Sequence, residues 1–349
     1  MEYRYNYLNN FLKNKYGERV LKICVDGGFT CPNRDGKCGT GGCIFCNERG
    51  SGERLDNTKS IQEQVISELN YKKDRANKFI VYFQNFSNTY DSIQNLKRKY
   101  DEALLITENN NALLNCNKKE NIKYNSNKSY SNSDNYEYMM KENINNINGI
   151  NILKNKIVGL AIATRPDCID EEIVKLIKSY SQEYYVWVEL GLQTTNDIIA
   201  KKINRGYNLK QFENALELLN KYEIDVVTHI MIGLPGETNQ DIIDIVKFIN
   251  SHSISGVKIH STYIVKNTEL ENLYNSNKYE PITFEYYMEK LIYIITHLRK
   301  DIVIHRFTGD PSKDSLVEPQ WELHKKKVMN TLNNTLEKEK IYQGIFENQ

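Results

Sequence analysis

Residues 156–194, KIVGLAIATRPDCIDEEIVKLIKSYSQEYYVWVELGLQT, decide the fold. An apolar run, KIVGLAIAT, is followed by a segment over 170–180 that places Ile173, Val174 and Ile177 on one helical face. A second apolar run, YYVWVELGLQT, comes next. Two Val- and Ile-rich runs separated by a single helix describe parallel strands buried on both faces. The same alternation continues downstream. A helix over 208–222 leads to DVVTHIMIGLP, a helix over 238–251 to GVKIHSTYIV, and a helix over 283–299 to DIVIHRFTG, before a terminal helix over 321–338. Upstream, residues 1–20 read as a short amphipathic helix with Tyr7, Leu8, Phe11 and Leu12 on its apolar side. VLKICVDGGFTC and KFIVYFQ read as strands, each followed by a helix, over 60–73 and 91–105. The pattern predicts an α/β chain built as a complete or partial (β/α) barrel. An open doubly wound sheet is the alternative, but no G-x-G-x-x-G follows the first strand.

Between 106 and 156 the composition shifts to Asn, Lys, Ser and Tyr, as in NKKENIKYNSNKSYSNSDNYEY. Such a stretch buries too little apolar area to offset the entropy of ordering it. It is expected to be a disordered insertion that splits the barrel into 1–105 and 157–310, with 311–349 as a helical extension. The insertion follows a helix and precedes a strand. It therefore falls on the face opposite the strands' C-terminal ends, where barrel chemistry sits.

The 349 residues carry a net charge of +1, from 46 basic and 45 acidic side chains. That balance gives no global reason to bind nucleic acid or membrane. The first twenty residues lack an apolar core and include acidic side chains, so they make a poor secretory signal. No apolar run approaches the ~18 residues a spanning helix needs. A cytoplasmic protein is expected.

Of seven cysteines, four lie in CPNRDGKCGTGGCIFCN, residues 31–47, spaced Cys31-x6-Cys38-x4-Cys43-x2-Cys46. A tight cluster in a long chain favours a metal or redox cofactor over disulfides. Two readings compete. Four thiolates can close a structural zinc site, giving a zinc-stabilised nucleic-acid-binding protein without catalysis. Alternatively, three thiolates hold three irons of a [4Fe–4S] cluster and leave the fourth iron open to a small molecule. Placement after the first strand, glycines able to bend around a bulky group and the shielding Phe45 favour the cluster. Cys24 reads as a small core residue, Cys168 as core or pocket lining, and Cys116 as inert.

The stretch resembles the cluster loop of radical S-adenosylmethionine (SAM) enzymes, in the Elp3-like branch. More narrowly, it is similar to the YhcC/YtqA-type radical SAM family. The resemblance continues through YFQNFSNTY, ATRPDC, VWVELGLQT, INRGY, THIMIGLPGET, GVKIHSTYIVKNTEL and VIHRFTGD. It implies a partial (β/α)6-type barrel, with Cys31, Cys43 and Cys46 as cluster ligands. Cys38 occupies a position that is usually not cysteine in that family. The implied chemistry is reductive cleavage of SAM to a radical that abstracts hydrogen from a substrate. An electron donor of the flavodoxin or ferredoxin type is implied as partner.

Several strand ends suit the cofactor. The resemblance assigns Gln84, Asn88 and Thr89 to the SAM amino group. An Arg165 aimed into a barrel mouth is costly without an anionic partner. Glu189 and Gln193 share the inward face with Gly191, and inward polar groups favour a ligand. Arg205 is placed to meet the SAM carboxylate. Gly233 and Pro235 resemble the adenine-contacting strand, while Glu237 reads as a cap of the following helix. The last strands carry Tyr263, Lys266 and Arg306, together with His260, His305 and Asp310, and are expected to face substrate. Lys258, Lys266 and Arg306 form a positive edge suited to an anionic substrate such as RNA. His229 reads as a satisfied core histidine. The Elp3-like resemblance points to tRNA, at a wobble uridine.

Overall fold

The computed structural model describes residues 4–48, 50, 55, 58–106 and 147–347. Helix α1 (Leu8–Tyr16) precedes strand β1 (Val20–Val25). There follow α2 (Ile61–Lys72), β2 (Lys78–Phe83), α3 (Ile93–Ala103), α4 (Ile147–Lys154), β3 (Ile157–Thr164), α5 (Glu171–Tyr180) and β4 (Tyr185–Gln193). Next come α6 (Asp197–Lys202), α7 (Leu209–Lys221), β5 (Asp225–Ile232), α8 (Asn239–Ser251), β6 (Gly256–Ser261), β7 (Ile264–Val265) and α9 (Glu269–Asn275). The chain closes with α10 (Phe284–His297), β8 (Val303–Arg306), β9 (Leu316–Glu318) and α11 (Lys325–Lys338).

Seven strands form one sheet in the order β1-β2-β3-β4-β5-β6-β8, and every neighbouring pair is parallel. This is the expected partial barrel, with one strand more than a six-unit barrel. The edges β1 and β8 do not pair. Helix α1 lies against both, and Tyr7 at its start bridges Ile304.

Alternation along each strand builds two apolar layers. Phe79, Val81 and Phe83 of β2 point outward with Ile23, Ile162 and Val188 into the layer beneath the helices. Ile80 and Tyr82 point inward with Val20, Ala161, Trp187, Val227 and Val303, where Leu8 and Leu12 of α1 plug the barrel. The helices start where the sequence supplies caps. Reciprocal capping boxes join Ser60 to Glu63, Asn208 to Gln211 and Thr238 to Asp241.

Two expected boundaries move. Most of the 106–156 insertion, residues 107–146, lies outside the described residues. Residues 147–154 are helical, however, with Ile150 buried and Leu153 packed on the core. The insertion's last turns therefore dock through apolar side chains spaced three apart. The 311–349 segment is equally part of the fold. Strand β9 pairs antiparallel with β7, and Val328, Leu332 and Leu336 enter the main core. The amide of Gln343 donates to the Arg299 and Ile302 carbonyls at 2.7 and 2.9 Å. A third apolar cluster joins Ile44, Ile199, Ile203, Leu234, Ile264, Leu270 and Tyr279 above the barrel mouth.

Candidate functional site

The loop that follows β1 is shaped by its own backbone. Arg34 and Asp35 N–H groups donate to the Cys31 carbonyl (2.8 and 3.2 Å), Cys38 to Pro32 (2.8 Å), Gly42 to Asn33 (2.9 Å) and Cys46 to Cys43 (3.0 Å). At Gly42, φ is +78° and a Cβ would sit 2.8 Å from Arg34 Nε, so glycine is required there. Arg34 crosses the loop and donates from Nη2 to the Cys46 and Asn47 carbonyls. Asn33 donates to the Asn204 carbonyl (2.6 Å) and approaches Cys43 Sγ (3.9 Å), while Asn204 donates back to Gly42 (2.7 Å). Ile44 donates to Ile203 (3.1 Å) and accepts from Leu270 (2.8 Å), which clips the loop to the third apolar cluster.

Cys31, Cys43 and Cys46 interact electrostatically with one another, and Arg165 acts on all three. Burial pushes the Cys43 thiol up to about 12 and also raises Cys46. Buried thiols of this kind become thiolates when a metal centre supplies the compensating charge. Cys38 is exposed and sits beside Asp167 and Arg165, outside the trio. Among the described residues, no three Cys, His, Asp or Glu side chains come together closely enough to ligate a single metal ion. Cys43 and Cys46 are thus buried thiols within electrostatic reach of Cys31, while Cys38 is exposed.

A cavity opens directly beside Cys46. Its walls include Phe45, Tyr82, Gln84, Gln193, His229, Lys258, His260, Tyr263 and Arg306. Beneath it lies a buried polar network centred on Glu189. That carboxylate accepts from Tyr82 Oη (2.6 Å), Trp187 Nε1 (3.0 Å) and Lys258 Nζ, and contacts His229 Nε2 at 3.1 Å. Burial alone would raise the Glu189 carboxyl, but Lys258 and His229 outweigh it and hold the group well below the usual carboxylate range. Burial lowers His229 and, strongly, His260, and so keeps both rings neutral. The two rings stack with centroids 5.4 Å apart.

The expected site residues divide into two groups. Gln84, Gln193, Tyr263 and Arg306 share the cavity with Cys46. Gln193 Oε1 also accepts from Tyr207 Oη (3.0 Å), and most of the others are likewise committed to protein partners. Asn88 donates to the Phe83 and Ala163 carbonyls (3.2 and 2.7 Å), and Thr89 bonds Thr164 (2.6 Å) and the Cys168 carbonyl (2.5 Å). Arg165 finds its anion in Asp167 (2.8 and 2.6 Å) and donates to the Arg205 carbonyl (2.9 Å). Arg205 is fully buried. It donates to the Leu192, Thr194 and Tyr207 carbonyls and pairs with Asp197, so it knots the β4–α6 connection instead of opening to a carboxylate. Both arginines stack on Tyr207, at 4.7 and 4.6 Å. Glu189 is spent within the network. Gly233 donates to Glu237 Oε2 (2.6 Å) and its carbonyl accepts from Tyr279 (2.7 Å), while Pro235 stands half-buried in the same turn. Glu237 thus serves Gly233, and the cap of α8 is Thr238. Lys266 is exposed just past β7 and does not line the cavity. Lys258 is 2 % exposed, a barrel-interior residue and no surface edge. His229 lines the cavity, whereas His305 lies deeper, edge-on to Trp187 at 5.4 Å.

Sequence reasoning missed Tyr82 and the clamp formed by Asn33, Arg34 and Asn204. The inward parity of Tyr82 with Gln84 was a usable signal; Asn33 and Asn204 lie 171 positions apart and left none.

Residues 36–249 match the model of the Radical SAM superfamily, and residues 254–338 match the Radical_SAM C-terminal domain. The chain is 29 % identical over 348 residues to the uncharacterized protein YtqA of Bacillus subtilis, covering 99 % of this chain and 93 % of that one. It is 32 % identical over 132 residues to a tRNA uridine(34) acetyltransferase of Dehalococcoides mccartyi, covering 37 % of this chain and 28 % of that protein. Among solved structures, Methanocaldococcus infernus Elp3 with an N-terminal deletion superposes with a TM-score of 0.63 at 18 % identity, over 93 % of this chain and 64 % of that one.

Proposed function

This chain belongs to the radical SAM superfamily, and from that premise we propose that Cys31, Cys43 and Cys46 hold its [4Fe–4S] cluster, with SAM in the adjoining cavity beside Gln84 and Gln193. The observation that carries this reading is a loop that keeps Cys31, Cys43 and Cys46 within electrostatic reach of one another, with Cys46 in the wall of a cavity and Cys38 exposed. Cluster and SAM, when bound, would supply radical hydrogen-abstraction chemistry, with electrons from a flavodoxin- or ferredoxin-type donor. The chain's own residues place and shelter that chemistry. Arg34, Asn33 and Ile44 fix the loop, and Phe45 walls the cavity beside Cys46. The amides of Gln84 and Gln193 offer hydrogen bonds to polar groups of SAM. The substrate takes the side bounded by Tyr263, His260 and Arg306. The partial likeness to a tRNA uridine(34) acetyltransferase supports a tRNA nucleoside as that substrate.

Anaerobic reconstitution tests the first part. The expected product is brown protein with about four iron and four sulfide per chain, which converts SAM to 5′-deoxyadenosine under strong reduction. Cys38→Ser keeps the cluster, and Cys43→Ser loses it. Colourless protein with stoichiometric zinc would overturn the reading. Comparison of modified nucleosides in tRNA from cells with and without the gene tests the substrate. Unchanged profiles remove tRNA and leave the SAM chemistry standing.

A further inference from the structure

The inner face of the barrel carries more basic side chains than its one central carboxylate can pair. Glu189 is 1 % exposed and already meets four polar groups, from Tyr82, Trp187, His229 and Lys258. A carboxylate offers about four lone-pair positions, so this one is filled. Yet Lys22 and Arg306 act on the same centre as Lys258. Among the described residues, no carboxylate forms an ion pair with Lys22. Arg306 reaches Asp310 only at 3.9 Å, and Asp310 lies closer to Lys325. His260 adds a buried Nε2 without a hydrogen-bond partner, in the wall of the same cavity. Basic groups whose charged forms burial disfavours, in one cavity wall with an unused ring nitrogen, are met by an anion from outside the chain.

We propose that Lys258, His260 and Arg306 bind an anionic group of the substrate, a phosphate or a carboxylate, within the cavity that also borders Cys46. The inference rests on substrate entering the cavity assigned above. It gives the neutral His260 ring a donor's role and makes Arg306 the gatepost that selects for charge. A phosphate source fits a nucleotide, and a carboxylate source fits a peptide or organic acid.

The test is binding of inorganic phosphate and of acetate to the cluster-loaded protein, read by thermal shift at constant ionic strength. One of the two is expected to stabilise saturably, and which one does identifies the source. Arg306→Gln, a half-exposed position, is expected to weaken that binding at least tenfold. The paired change Lys258→Met with Glu189→Gln, which leaves no charge stranded, is expected to do the same. Lys175→Gln on the surface of α5 keeps wild-type binding. Absence of saturable binding, or equal binding in wild type and Arg306→Gln, overturns the proposal. SAM cleavage measured on the same preparation separates the two readings. Anion binding without cleavage removes the radical chemistry alone, and cleavage without anion binding removes the anion site alone.

Discussion

The Glu189–Lys258 pair supports a quantitative prediction. Both side chains are essentially inaccessible, at 0 % and 2 %. Glu189→Gln preserves volume and an acceptor for Tyr82 or Trp187, but strands the Lys258 charge. The penalty has a ceiling, because a stranded lysine gives up its proton instead. Deprotonating a lysine of ordinary pKa 10.5 at pH 7.5 costs about 4 kcal/mol, at ~1.4 kcal/mol per pH unit, but burial already holds Lys258 down at about 7, so most of that cost is present in the wild type. Lys258→Met strands Glu189, and protonating an ordinary carboxyl of pKa 4.5 at that pH costs about the same. Lys258→Met is therefore expected to destabilise by up to about 4 kcal/mol, and Glu189→Gln by clearly less. The double change strands neither group, so it should cost less than the sum of the singles by more than about 0.5 kcal/mol. Urea unfolding followed by tryptophan fluorescence suits the measurement, because Trp187 donates to Glu189 Oε1. Additivity to within about 0.5 kcal/mol would show that the two charges do not depend on each other, and the reasoning would fail.

Two further predictions concern the turn after β5. Burial pushes the Glu237 carboxyl up from 4.5 to about 8. Between those values the folded protein holds a proton that the unfolded chain has released, so stability falls as pH rises through this window. Glu237→Gln keeps the acceptor for Gly233 and is expected to flatten the dependence of the urea midpoint between about pH 5 and pH 8; an unchanged slope would count against the assignment. At Gly233 φ is +90° and a Cβ would come within 2.9 Å of Ile282 Cδ1. Gly233→Ala should cost more than about 1 kcal/mol, whereas a melting temperature equal to wild type would mean the turn relaxes freely.

Much of this molecule was determined by the sequence alone. The Val- and Ile-rich runs with single helices between them specify parallel strands, because only strands covered on both faces tolerate such continuous apolar character. Helix starts followed from capping residues such as Ser60, Asn208 and Thr238. The cysteine loop was legible because its thiols are neighbours in the chain. Tertiary structure decided the rest, and the common reason is distance along the chain. Arg165 and Arg205 were expected to seek a ligand, but Asp167 and nearby carbonyls satisfy them, and no local pattern announces that a buried donor already has its acceptor. Glu189, Lys258, Tyr82 and His229 come from four different strands, and their convergence depends on register and barrel curvature. Lys258 and Lys266 looked alike as basic residues near one strand. The inward parity of β6 buries the first, and the turn after β7 exposes the second. Side-chain chemistry is written locally, whereas its accessibility is set by what folds over it.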